Sequence, residues 1–97
     1  GQTISQPWVH AKYLELLDLK GTERVLEIGT GSGFQTALLT KLARHVFSIE
    51  RLAPLAEQAR EALRRCGIDH VIQRVGDGTL GWPEHGPYDA VSYTHLT

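Results

Sequence analysis

The chain has 97 residues, room for one small domain and not two. Ten basic residues against eleven acidic ones leave a formal charge of −1, which argues against an electrostatic grip on nucleic acid or an anionic membrane. A single cysteine, Cys66, excludes an internal disulfide, no apolar run approaches the roughly 20 residues of a membrane span, and no leader pattern is visible; the expectation is a soluble, cytoplasmic protein.

In chain order, a first helix is predicted from about Ser5-Gln6-Pro7, with Ser5 as cap and Pro7 in the first turn. Val9, Tyr13, Leu16 and Leu17 recur at helical spacing, and Gly21 ends it. Arg24 to Ile28 reads as a buried parallel strand, followed by a glycine-rich turn at 29–33. The next helix takes its inner face from Ala37, Leu38 and Leu42, and Val46 to Glu50 is the second strand. A second crossover helix starts near Pro54 and stops at Gly67. Its inner side is Leu55, Ala59, Ala62, Leu63 and Cys66, which makes Cys66 an inert core thiol. The outer side is charged, with Glu61 and Arg65 spaced to pair. Val71 to Val75 and Tyr88 to Tyr93 are the third and fourth strands, with Gly76 to Pro87 mostly loop and Trp82-Pro83 packed beside the site. Helix-length connections make strands one to three parallel neighbours, and strand four returns on the far side of strand one. The fold class is therefore α/β, with a parallel sheet ordered 3-2-1-4 and ligands expected at the switch point between strands one and four.

Glu27-Ile28-Gly29-Thr30-Gly31-Ser32-Gly33 carries the chemistry. Glycines there let the chain turn tightly and a ligand approach closely, and amides at the helix start can receive a polar or anionic group. A dinucleotide fingerprint needs its third glycine at position 34, where Phe34 stands. Glycines at 29, 31 and 33, with an acid two places before the first, resemble the first motif of class I S-adenosylmethionine methyltransferases. Glu50 ends the second strand, where a carboxylate can accept two hydrogen bonds from a ribose diol; alternatively it pairs with Arg51 or caps the next helix. Asp77 follows the third strand; the resemblance implies an adenine contact, and the alternative is an ordinary Asx turn. The remaining histidines, His45, His70, His85 and His95, lack ligand spacing, so no metal site is expected.

The resemblance sharpens with four motifs in order: Gly1-Gln2-Thr3-Ile4-Ser5-Gln6-Pro7, Val25 to Gly33, Ser48-Ile49-Glu50-Arg51, and Gly76-Asp77-Gly78 with Gly81-Trp82. Together they resemble the protein-L-isoaspartate (D-aspartate) O-methyltransferase family from Gly1 to about Val91. The resemblance implies a partial Rossmann-like methyltransferase fold with S-adenosyl-L-methionine as cofactor, and methyl transfer to the free carboxylate of L-isoaspartyl or D-aspartyl residues in damaged proteins. It implies Ser5 as the active-site residue and Thr3, Ile4 and His10 beside the substrate, although His10 reads equally well as a surface residue. Cofactor contacts implied in the same way are Glu27, Gly29, Thr30, Gly31, Gly33, Glu50, Arg51, Asp77 and Gly78. The expected partners are isoaspartyl-containing proteins and peptides, without nucleic acid or membrane, for a full-length form that is monomeric.

The chemistry suits these residues. A carboxylate is already ionised near neutral pH, so the task is to align it with the methyl group and exclude water. Ser5 could orient it by a hydrogen bond; without the motif it would be only a helix cap. Family members extend further at both ends, so residues 1–91 read as the cofactor-binding part of a methyltransferase domain. Residues 92–97 read as a tail that departs from the family. The alternatives are a fragment that holds S-adenosylmethionine without turnover, or a related methyltransferase acting on RNA or a small molecule.

Overall fold

A computed structural model describes residues 17–93. Most of the predicted first helix, through residue 16, lies outside them, as do Thr3, Ile4, Ser5 and His10. The elements are β1 (Arg24–Ile28), α1 (Phe34–Leu42), β2 (His45–Glu50), α2 (Ala53–Arg65), β3 (Ile72–Val75) and β4 (Ala90–Tyr93), with short 3₁₀ turns at Gly78–Leu80 and Pro83–His85. All pairings are parallel and the order is β3-β2-β1-β4, as the crossovers predict. Asp89 pins the two central starts together: its carboxylate accepts from the Arg24 amide at 2.8 Å, and its own amide donates to the Arg24 carbonyl at 2.8 Å.

Period-two alternation divides the sheet into two faces. On one, Val25 and Val46 pack with Leu39 and Ala43 of the α1 side, and partly buried Leu17 and Leu19 join them. α2 lies beside α1 on this face: a Cβ on Gly33, the cap of α1, would stand 3.3 Å from Ala59 Cβ of α2. On the other, Leu26, Phe47 and Ile49 are covered by Trp82 from the β3–β4 connection. Phe47 meets Trp82 edge-on at 6.2 Å and stacks on His85 at 4.8 Å. The Arg24 guanidinium lies 4.9 Å above Phe47 and donates to the His85 carbonyl, and the Tyr88 hydroxyl donates to the Trp82 carbonyl. Burial drives the Tyr88 phenol above its ordinary value. Trp82 is thus a core residue that clamps its loop to the sheet.

Three expectations about helix faces need correction. The buried side of α1 is Gln35, Thr36 and Leu39, while Leu42 is exposed. Two polar residues turn inward because the strands beneath offer them partners, Ser92 for Gln35 and Glu27 for Thr36. The buried stripe of α2 is Ala56, Ala59 and Leu63, and Cys66 is exposed. Cys66 is the C-cap, where the backbone leaves helical geometry and the stripe no longer continues. Glu61 pairs with Arg64 at 2.5 Å rather than with Arg65, and Glu57 with Arg60 at 2.7 Å, both at i,i+3 on the solvent side.

Candidate functional site

A cleft of 370 Å³ opens at the carboxyl ends of β1, β2 and β3. Its lining is Ile28, Gly29, Ile49, Glu50, Arg51, Leu52, Leu55, Asp77, Gly78, Thr79 and Tyr93. Five sequence-predicted residues meet here from three loops: Gly29, Glu50, Arg51, Asp77 and Gly78. Parallel register brings this about, since Ile28 pairs with Ile49 and Glu50 with Val75, so the three strands end together.

Glu50 supplies the buried charge of the cleft, at 6% exposure. One carboxylate oxygen accepts from the Gly31 amide at 3.1 Å, and the other accepts at 2.9 Å from the amide of Leu52, the residue before α2. A carboxylate has about four acceptor positions, and among the described residues these two amides occupy two of them. Asp77 forms the rim. Its Oδ1 accepts from the amide and hydroxyl of Thr79, at 2.9 and 2.8 Å, in the Asx geometry of a turn. These bonds hold its carboxyl below the ordinary value, and Arg51 adds a smaller pull. Gly78 is required by contact: a Cβ there would lie 2.3 Å from Ile28 Cγ2.

Not every expected residue reaches the cleft. Thr30, Gly31 and Gly33 are buried behind its wall, and Glu27 is 0% exposed beneath the glycine turn. Its carboxylate accepts from the hydroxyls of Thr36 and Ser48, the latter at 2.8 Å. The turn is also not an open amide cradle. Its Gly29 amide donates to the Ile49 carbonyl at 2.7 Å, its Gly31 amide to Glu50, and its Gly33 amide to the Thr30 carbonyl at 3.0 Å. Sequence reasoning missed the apolar wall of Ile28, Ile49, Leu52 and Leu55, which the strand register and the residues just after Glu50 could have signalled. It also missed Thr79, whose spacing two residues after Asp77 is an Asx-turn pattern. Among the described residues no cluster of His, Cys, Asp and Glu could hold a metal, and no helix is long and apolar enough to cross a membrane.

The family pattern described as Protein-L-isoaspartate(D-aspartate) O-methyltransferase (PCMT) matches residues 1–96. The chain belongs to this family. The protein-L-isoaspartate O-methyltransferases of Myxococcus xanthus (strain DK1622) and Syntrophus aciditrophicus (strain SB) are each 59% identical to it, over 94% and 96% of this chain and 43% of each relative. The chain therefore spans less than half the length of the curated relatives it matches. A solved protein-L-isoaspartate O-methyltransferase superposes with a TM-score of 0.84 at 37% identity, covering 93% of this chain and 29% of that one. A SAM-dependent O-methyltransferase from Thermotoga maritima superposes at 0.83 with 27% identity, covering 96% and 36%. The fold is that of class I methyltransferases.

Proposed function

We propose that the chain is the cofactor-holding part of an enzyme that methylates the free carboxylate of L-isoaspartyl and D-aspartyl residues in damaged proteins, with S-adenosyl-L-methionine as donor. The observation that carries the reading is the cleft itself, where a buried carboxylate, an apolar wall and an acidic rim meet at the strand ends. Its volume of 370 Å³ falls within the roughly 300–1,000 Å³ of small-molecule sites. The donor set also fits this cofactor better than a dinucleotide. The amides of Gly29, Gly31 and Gly33 are paired internally rather than open to a pyrophosphate, and Glu50 suits a ribose diol, which both kinds of ligand carry.

In this reading Glu50 receives the ribose hydroxyls, Asp77 faces the adenine amino group, and Leu52 and Leu55 flank the base. Gly29 lets the backbone approach the ligand, and Arg51 lies at the rim. The cofactor supplies a methyl group activated on a sulfonium. The protein's share is to align the substrate carboxylate and exclude water. Ser5 orients that carboxylate by hydrogen bonding, with Thr3, Ile4 and His10 along the isoaspartyl backbone; those four roles rest on the family resemblance. The setting is the cytoplasm and the partners are isoaspartyl-containing proteins.

Two assays test this. Calorimetric titration of the chain with S-adenosylhomocysteine should give saturable one-to-one binding, with none for NADH. Transfer of labelled methyl to an isoaspartyl peptide, absent with the aspartyl isomer, tests the reaction. A folded chain that binds neither ligand overturns the cofactor assignment. Binding without transfer favours the reading of a fragment that holds the cofactor without turnover.

A further inference from the structure

The glycine turn over the cleft is held from below by side chains that never line the cleft. Glu27, Thr30, Thr36 and Ser48 are all 0–1% exposed. Thr36 and Ser48 both donate to Glu27 Oε1, Ser48 at 2.8 Å, and Ser48 Oγ lies 2.7 Å from Thr30 Oγ1. A hydroxyl carries one proton. That of Ser48 is given to Glu27, so Thr30 must be the donor in the Thr30–Ser48 bond. The chain of bonds therefore runs in one direction, from Thr30 through Ser48 to Glu27. Thr30 is β-branched and stiff about χ1, so fixing its Oγ1 also fixes its backbone. Its carbonyl in turn accepts from the Gly33 amide at 3.0 Å, and its neighbour Gly31 is bound to Glu50.

We propose that Ser48 is a positioning residue for cofactor binding: from β2 it couples the buried Glu27 carboxylate to Thr30 and so sets the height of the glycine turn over the cleft. This rests on the reading of the cleft as the cofactor site. Glu27 then acts through Ser48 and Thr30 rather than by touching the ligand. A site whose supporting shell loosens loses affinity although its own contact residues are intact.

Ser48→Ala is the test, with Val46→Ala as control. Val46 sits on the same strand and the same face, is 1% exposed, and packs in the apolar cluster with Val25, Leu39 and Ala43. Both variants should lower Tm. At a temperature where all are folded, only Ser48→Ala should speed amide exchange at residues 29–33 and weaken S-adenosylhomocysteine binding, each about tenfold, the equivalent of one hydrogen bond to a charged group. The double variant Ser48→Ala/Thr30→Val leaves no orphaned Thr30 hydroxyl. It should regain part of the lost Tm while its affinity stays weak. The proposal is overturned if Ser48→Ala and Val46→Ala are alike in exchange at 29–33, or if the double variant recovers affinity. A wild-type chain that does not bind S-adenosylhomocysteine overturns the cofactor reading instead, and the exchange comparison still decides whether Ser48 holds the turn.

Discussion

Replacing Glu50 with glutamine should destabilise the fold before it says anything about ligand. The side chain is 6% exposed, and its two oxygens serve two different backbone amides, Gly31 at 3.1 Å and Leu52 at 2.9 Å. Hydrogen bonds to a charged group contribute about 1.5–3 kcal/mol each, against about 1 kcal/mol for a neutral one. Glutamine keeps one acceptor oxygen and turns an NH₂ donor toward the other amide. One bond therefore weakens, the other is lost, and the net expected destabilisation is about 2–4 kcal/mol. For a domain of this size that corresponds to a Tm lower by about 8–30 °C. The assay is urea unfolding at neutral pH with the slope unchanged. A difference below about 0.5 kcal/mol, the level of an inconsequential surface change, would refute the claim that both amides depend on this carboxylate. Ligand titration of the variant has meaning only below its own Tm.

Gly78→Ala should cost about 1–3 kcal/mol through overpacking, because its Cβ meets Ile28 Cγ2 at 2.3 Å. Partial recovery in Gly78→Ala/Ile28→Ala would identify the clash, and no recovery would count against it. Asp77 is held below its ordinary 3.8 mainly by the Thr79 amide and hydroxyl. Its contribution to stability is therefore complete above 3.8 and disappears as pH falls through the lower folded value. An NMR titration of the carboxyl should show a midpoint under 3.8 that rises in Thr79→Val; a midpoint at or above 3.8 in the wild type excludes the Asx arrangement. The outer strand β3 carries Ile72 and Val75 at 44% and 52% exposure, and open strand edges pair with other chains. Sedimentation should show concentration-dependent association that Ile72→Lys suppresses, and a clean monomer at high concentration would rule it out.

Much of the site was legible because backbone requirements leave marks in sequence. Gly29, Gly31 and Gly33 all have positive φ, at 90°, 58° and 86°, and an acid at the end of a strand is conspicuous among apolar neighbours. The faces of the two helices were less legible. Periodicity assumes that apolar residues turn inward, whereas Gln35 and Thr36 turn inward to partners on β4 and β1, and Leu42 turns out. Glu27 shows the same limit at the site. Its position in the motif suggested a ligand contact, but nothing local reveals that Thr36 and Ser48, 9 and 21 residues away, donate to it from below.

Short apolar runs joined by helix-length connections admit few topologies, so the sequence sufficed for the four strands, the turn and the parallel order 3-2-1-4, although β3 begins at Ile72 rather than Val71 and β4 at Ala90 rather than Tyr88. Tertiary structure decided which polar groups line the cleft and which face each other. Strand register sets that choice: it places Ile28 beside Ile49 and Glu27 beside Ser48, so alternate residues of the same two strands form the cleft wall and the buried support beneath it.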